Sequence, residues 1–170
     1  MKKIFILAVA TLFATVTTFG STIKYADIVK CRAANGAIYG VRSMADGEHF
    51  TIIKGKQIVR CSYADRADSL VLLKSDFSIG AYAFSGDEKQ LLLFDAKSVK
   101  SIYRHSATAD YYLADVQGEA RKVLEQVRDV SFSQDGKKLI YCKENNIYIY
   151  DIAAATSKAV TTEAGAGCPR

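Results

Sequence analysis

The sequence predicts an all-β fold, a partial β-propeller of about three four-stranded antiparallel blades that follows a signal peptide. Runs rich in Val, Ile, Leu, Tyr and Phe recur along the chain, and a tight-turn signal interrupts them at regular intervals. The turn recurs after 41 and then 48 residues, and a repeat of this length that holds four strands is typical of a propeller blade. After residue 20 no stretch shows the 3.6-residue periodicity of an amphipathic helix.

Composition indicates a globular protein of one domain, or a part of a larger one. Of the 170 residues 49% are hydrophobic and 24% are charged, with 23 basic and 18 acidic side chains. Removal of the signal peptide with Lys2 and Lys3 lowers the net charge from +5 to +3. This excess is small and scattered, so we expect no nucleic acid among the partners.

The first 20 residues have the order of a secretory signal peptide. Lys2 and Lys3 precede an apolar run over 4–14, and small and polar residues follow up to Gly20. The run is short for a membrane span, although an N-terminal anchor remains the alternative. We therefore expect an exported protein, periplasmic or extracellular, in which 21–36 form a leader strand or linker.

Three turns organise the remainder of the chain into blades. They are Asp46-Gly47, Gly86-Asp87 and Asp135-Gly136, and Asp beside Gly between hydrophobic runs is a strong hairpin signal because Gly accepts a positive φ. One strand-like run precedes each turn and three follow it. The first strands are predicted at 37–44, 78–85 and 127–133, the third at 58–65, 110–115 and 147–151, and the fourth at 69–73, 122–124 and 158–161. The predicted blades are 37–74, 75–125 and 126–162, with a disordered tail at 163–170.

Three blades do not close a ring, since propellers have typically four to eight. The two end blades would expose apolar faces and unpaired strand edges. Either the chain is a fragment of a longer protein, or copies of it associate as a homo-oligomer. We favour the fragment.

The middle blade is longer than the others between its second and third strands. The interval from the turn Asp to the Asp that ends the third strand is 28 residues there, against 19 and 16 in the other blades. The insertion, centred on 95–110, is predicted to project from the face opposite the Asp-Gly turns, and extra length on one face often marks a binding surface. Arg104 is the candidate substrate-binding residue, because its guanidinium offers a fork of donors, and His105 is a weaker one. The alternative is a solvated loop.

The cysteines and the first histidine predict no metal site and no cofactor. Cys31, Cys61, Cys142 and Cys168 lack metal-ligand spacing, and sequence does not choose among their three possible pairings, although Cys31 with Cys61 is conceivable. Cys61 and Cys142 lie in strand-like runs, where we expect small buried hydrophobic residues. His49 is expected to be a surface strand residue.

Two segments resemble the early propeller blades of the dipeptidyl peptidase IV family of prolyl oligopeptidase-type serine peptidases. They are FSGDEKQLLLFDAKSVKSIYRHSATADYYLADV at 84–116 and FSQDGKKLIYCKENNIYIYDI at 132–152, and the resemblance extends over most of 37–162. It implies an exported exopeptidase that releases Xaa-Pro or Xaa-Ala dipeptides, with an eight-bladed propeller over a C-terminal α/β-hydrolase domain. It also implies that Arg104 contacts the bound peptide substrate.

The sequence departs from this family in its catalytic equipment. It has no Glu-Glu pair for the substrate amine and no G-x-S-x-G nucleophile motif, and His49 and His105 are its only histidines. We therefore predict no catalytic residue, and we interpret the chain as an N-terminal propeller fragment that gates and orients the peptide for a missing hydrolase domain. The alternative is a non-catalytic, exported propeller-repeat binding protein.

Overall fold

The computed structural model describes residues 39–65 and 67–162, and within these ranges it is all-β. Their strands are β1 Tyr39–Ser43, β2 His49–Lys54, β3 Gln57–Ser62, β4 Ser69–Lys74, β5 Ile79–Phe84, β6 Gln90–Asp95, β7 Lys100–Tyr103, β8 Ser106–Asp115, β9 Arg121–Phe132, β10 Lys138–Lys143, β11 Asn146–Asp151 and β12 Thr156–Ala159, with a 3₁₀ turn at Ala96–Ser98. No described segment is a helix long and apolar enough to cross a membrane. The predicted signal peptide (1–20), leader (21–36) and tail (163–170) lie outside the described residues.

The strands form two antiparallel sheets. The first has the order β1-β2-β3-β4, and the second has the order β12-β11-β10-β9-β8-β6-β5 with β7 paired to β8. Within each sheet, strands that follow each other along the chain are neighbours, as the repeated turn signals predict, except that β6 pairs with β8 and not with β7. Between β2 and β3 the turn is only two residues long, and Gly55 there has a φ of +64°, which a glycine adopts without strain.

Strand β9 differs from the prediction of two separate short strands. It is one strand that pairs with β8 up to Val127 and with β10 from Arg128 onward. Gln126 and Asp129 have φ values of +49° and +56°, which bend the chain at this point. A turn signal rich in Gly or Pro is missing from this stretch, so the sequence did not indicate how the two runs are joined.

The Asp-Gly turns of neighbouring blades meet at one face. The Ala45 amide donates to Glu88 Oε1 at 2.8 Å, which joins the first turn to the second. A Cβ built on Gly136 would lie 3.4 Å from Ser85 Cβ, which places the third turn beside the second. The insertion after β6 therefore leaves the sheet at the opposite end of the strands, as predicted.

Strand β6 lies at the centre of the core. Leu91 and Leu93 pack into one hydrophobic cluster with residues of β3, β4 and β5, whereas Leu92 packs into a second cluster with residues of β9, β10 and β11. Both faces of β6 are therefore covered, which explains why its sequence is a continuous apolar run and does not alternate.

Cys61 and Cys142 are free thiols. Both are half-buried, whereas the sequence predicted that they would be buried. Cys61 lies opposite Phe50, and Cys142 lies opposite Ile147, which is itself exposed.

Candidate functional site

The insertion of the middle blade forms a β-hairpin instead of an irregular loop. After a 3₁₀ turn at Ala96–Ser98 the chain forms β7, and Tyr103 pairs with Ser106 across a two-residue turn made of Arg104 and His105. Strand β8 consequently begins at Ser106, four residues before the predicted start of the third strand. The sequence did not indicate this hairpin because Arg-His is not one of the glycine- or asparagine-containing turn pairs.

Five side chains at the base of this hairpin form a polar network, which we call the hairpin-base network. Its members are Ser98, Thr108, Asp110, Lys122 and Gln126. Lys122 Nζ lies 2.7 Å from Asp110 Oδ2, and the Gln126 backbone and side-chain amides donate to Asp110 Oδ1 at 3.0 and 2.9 Å. Gln126 also donates to the Ser98 carbonyl at 3.0 Å and accepts from Thr108 at 3.1 Å. The network ties β8 and the 3₁₀ turn that precedes β7 to β9.

Asp110 and Lys122 stabilise each other's charged forms. Burial disfavours the Asp110 carboxylate, but hydrogen bonds from Lys122 and Gln126 outweigh this effect and hold its pKa below the usual value. The Asp110 carboxylate in turn raises the pKa of Lys122. The ion pair is therefore complete over the whole range between the ordinary titration ranges of aspartate and lysine.

Asp110→Asn is expected to lower the free energy of unfolding by about 1–2 kcal/mol at pH 7, because one charged partner of Lys122 and Gln126 is lost. The lowered pKa means that this contribution is present above the unfolded-state pKa of about 4 and is lost as the pH falls through the folded-state value. Urea denaturation at several pH values checks this. Asp129→Asn is the control, because Asp129 is exposed and lies 3.8 Å from its partner Arg128. A difference between Asp110→Asn and wild type that stays constant down to pH 2 would contradict the expectation.

Arg104 and His105 are both exposed at the tip of the hairpin. Within the described part of the chain, neither side chain has a hydrogen-bond or ion-pair partner, so all five guanidinium donors of Arg104 are available. Their role in binding substrate remains a prediction. The hairpin positions them at the face opposite the Asp-Gly turns.

A cleft of about 390 Å³ lies beside the hairpin tip, between the hairpin and the turn that joins β10 to β11. Ile102 and Tyr103 line it from the hairpin, and Asn145 lines it from the turn. Arg128 of β9 connects the two sides, donating to Ser106 Oγ and to Asn145 Oδ1, each at 3.1 Å. Sequence reasoning missed Arg128, because nothing in a strand-like run marks one basic residue as facing a cleft formed by distant segments.

His49 lies in the first blade and contacts two carboxylates. Its Nδ1 is 2.6 Å from Asp46 Oδ2, and its Nε2 is 3.6 Å from Asp68 Oδ2. The Glu48 amide and the His49 side chain hold the pKa of Asp46 below its usual value. These contacts stabilise the first Asp-Gly turn, in keeping with a structural residue of the strand.

Comparison with known proteins identifies the family. The family model described as "Dipeptidyl peptidase IV (DPP IV) N-terminal region" matches residues 85–168. The structure of Porphyromonas gingivalis dipeptidyl peptidase 4 superposes with a TM-score of 0.62 at 33% identity, over 74% of this chain and 19% of that one. Residues 85–168 belong to the dipeptidyl peptidase IV family. The predicted family and the predicted all-β, partial-propeller fold class are both confirmed.

Other relatives agree with this family. A probable dipeptidyl-aminopeptidase B of Botryotinia fuckeliana is 24% identical over 133 residues, which are 70% of this chain and 14% of the relative. Its counterpart in Arthroderma otae is 32% identical over 73 residues, 39% of this chain and 8% of the relative. TolB from Acinetobacter baumannii, at 17% identity and a TM-score of 0.51 over 75% of this chain and 33% of its own, shares the fold alone. The chain thus spans only a small part of the dipeptidyl peptidase IV relatives that it matches.

Proposed function

We propose that this chain is the N-terminal propeller portion of an exported dipeptidyl peptidase IV-like serine exopeptidase, and that the propeller gates and orients the peptide substrate. The observation that carries the proposal is Arg104, an arginine without a partner among the described residues, at the exposed tip of a hairpin with an anchored base. The hairpin by itself presents the cation to solvent.

Arg104 would bind a backbone carbonyl of the peptide near its N-terminus. A guanidinium forms charge-assisted hydrogen bonds to carbonyl or carboxylate oxygens, and such bonds are roughly twice as strong as neutral ones. The hairpin-base network lowers the entropy that must be lost on binding, because β8, the strand that follows Arg104 and His105, is already fixed on β9. His105, next to Arg104 in the turn, would make a weaker contact with the same peptide.

The chemistry of peptide cleavage would come from a hydrolase domain that this sequence does not contain. The propeller would contribute binding and orientation, which raise the rate by placing the scissile bond close to the nucleophile. The substrate class proposed from the family is a peptide with an N-terminal Xaa-Pro or Xaa-Ala dipeptide.

Arg104→Ala in the full-length enzyme is expected to lower kcat/KM for an Xaa-Pro peptide by about 10- to 100-fold, the loss of one or two hydrogen bonds from a charged donor. The kcat/KM of Arg104→Lys should lie between the values for wild type and Arg104→Ala, because lysine keeps the charge but loses the fork of donors. Lys100→Ala is the matched control, since Lys100 is an exposed cation on the same hairpin. Initial rates of dipeptide release measure the effect, with thermal unfolding to show that the fold is intact. Equal kcat/KM for wild type and Arg104→Ala would remove Arg104 from the binding site.

A further inference from the structure

Arg128 is a second guanidinium on the same face as Arg104, and it is held in place more firmly. Its side chain is 27% exposed, and both of its terminal nitrogens are engaged, one with Ser106 and the other with Asn145. Of its five N–H donors, two are used in these bonds. Each terminal nitrogen therefore keeps one further N–H, and Arg128 is among the residues that line the cleft.

The cation of Arg128 is poorly compensated by the protein. Its two hydrogen-bond partners are a neutral hydroxyl and a neutral amide, and the carboxylate of Asp129 lies 3.8 Å from Nε and is 74% exposed. The other charged residues that line the cleft are Lys143 and Glu144, of opposite sign. A half-buried guanidinium whose hydrogen-bond partners are neutral, and whose one counterion is solvated and beyond hydrogen-bond distance, favours the binding of an external anion.

We propose that Arg128 and its cleft bind a carboxylate of the peptide substrate, at a point further along the peptide than the segment bound by Arg104. The proposal rests on the proposed function and extends it to a substrate class, peptides that carry a carboxylate downstream of the released dipeptide. That carboxylate is either an acidic side chain or the C-terminus of a short peptide.

The cleft suits such a group in shape and in chemistry. The Arg128 guanidinium presents its free donors to a carboxylate, which accepts them in pairs. Ile102 and Tyr103, both exposed, supply apolar surface next to it for the aliphatic part of the side chain. Because Ser106 and Asn145 already fix the guanidinium, little side-chain freedom remains to be lost on binding.

The test is the rate of dipeptide release by the full-length enzyme from matched peptides. One set consists of amidated hexapeptides that begin with Ala-Pro and carry a single Asp at position three, four, five or six, each with an Asn counterpart. A second set has no acidic side chain and ends in either a free or an amidated C-terminus. The measured quantity is the ratio of kcat/KM between the acid and the amide of each pair, at low ionic strength.

We expect wild type to prefer the acid by about 5- to 50-fold in at least one pair, as one charge-assisted contact predicts. Arg128→Gln should reduce that ratio to near one, and Arg128→Lys should retain part of it. Arg121→Gln is the matched control and should leave the ratio unchanged, since Arg121 is an exposed arginine at the other end of β9. A purely structural role for Arg128 would lower the rates for both members of a pair equally. An acid-to-amide ratio of one in wild type, or a ratio that Arg128→Gln leaves unchanged, would overturn the proposal.

The two proposals fail in different ways. If wild type releases dipeptides and Arg104→Ala impairs release but no pair shows an acid preference, only the role of Arg128 is wrong. If wild type releases no dipeptide from any peptide, the proposed function is wrong. In that case, peptide binding at Arg128 is measured by NMR, from the ¹⁵N resonances of the arginine side chains during titration with the Asp and Asn peptides. A shift of the Arg128 resonance by the Asp peptide alone would support the carboxylate site, and no shift would overturn it.

Discussion

Replacement of Leu139 by Ala is expected to lower the free energy of unfolding by about 3–5 kcal/mol, among the largest losses for a single side chain in this protein. Leu139 is 0% exposed and belongs to the cluster between the second and third blades, with Val127, Tyr141 and Tyr150 around it. Truncation removes its transfer free energy and leaves a cavity, because neighbouring strands held by backbone hydrogen bonds relax only in part.

Ile140→Ala is the matched comparison for Leu139→Ala. Ile140 is the next residue of β10, points to the other face of the sheet and is 40% exposed, so its truncation should cost about 1 kcal/mol or less. Urea denaturation of both variants measures the two losses. A loss below 1 kcal/mol for Leu139→Ala would contradict the packing of this cluster. An equally large loss for Ile140→Ala would show that another part of the protein covers the outer face of the third blade.

Tyr82→Phe is expected to lower the free energy of unfolding by about 1–3 kcal/mol, although only one oxygen is removed. The Tyr82 hydroxyl donates to the Gly40 carbonyl at 2.6 Å and, because its single proton is used there, accepts from the Thr51 hydroxyl at 2.6 Å. Thr51 is completely buried, and the variant leaves its hydroxyl and the Gly40 carbonyl without the Tyr82 partner. These bonds join the first blade to the second, so their loss affects the packing between the two sheets.

The pH dependence of Tyr82→Phe provides a second measurement. Burial raises the pKa of Tyr82, against opposing effects of the Thr51 hydrogen bond and of Arg42. A raised pKa means that the contribution of Tyr82 is fully present below the unfolded-state pKa of about 10 and is lost as the pH rises through the folded-state value. The stability gap between wild type and variant should therefore be constant from pH 6 to 9 and shrink above pH 10.

Tyr63→Phe is the control for Tyr82→Phe. The Tyr63 hydroxyl also forms a hydrogen bond, with Ser43 at 2.8 Å, but the side chain is 56% exposed and water replaces the lost partner. We expect a change of about 0.5 kcal/mol or less. A loss in Tyr82→Phe that is no larger than in Tyr63→Phe would show that the contact between the blades does not depend on this hydroxyl.

The sequence by itself determined the fold class and the repeat, because both depend on local chemistry. The turns at Asp46-Gly47 and Asp135-Gly136 need a glycine at positive φ, and the structure has φ values of +71° and +68° at Gly47 and Gly136. The unusual length of the middle blade was also visible as a spacing. The insertion with Arg104 and His105 could therefore be singled out before its conformation was known.

Only the tertiary structure decided how that insertion is shaped and what surrounds it. The two-residue turn at Arg104 has no glycine, and it is stabilised from outside by the hairpin-base network, whose members Asp110 and Gln126 are 16 residues apart in sequence. Arg128 faces the cleft because β9 bends at Gln126 and Asp129 and brings it between Ser106 and Asn145. Contacts between residues so far apart depend on how the strands are joined and packed, which local sequence preferences do not specify.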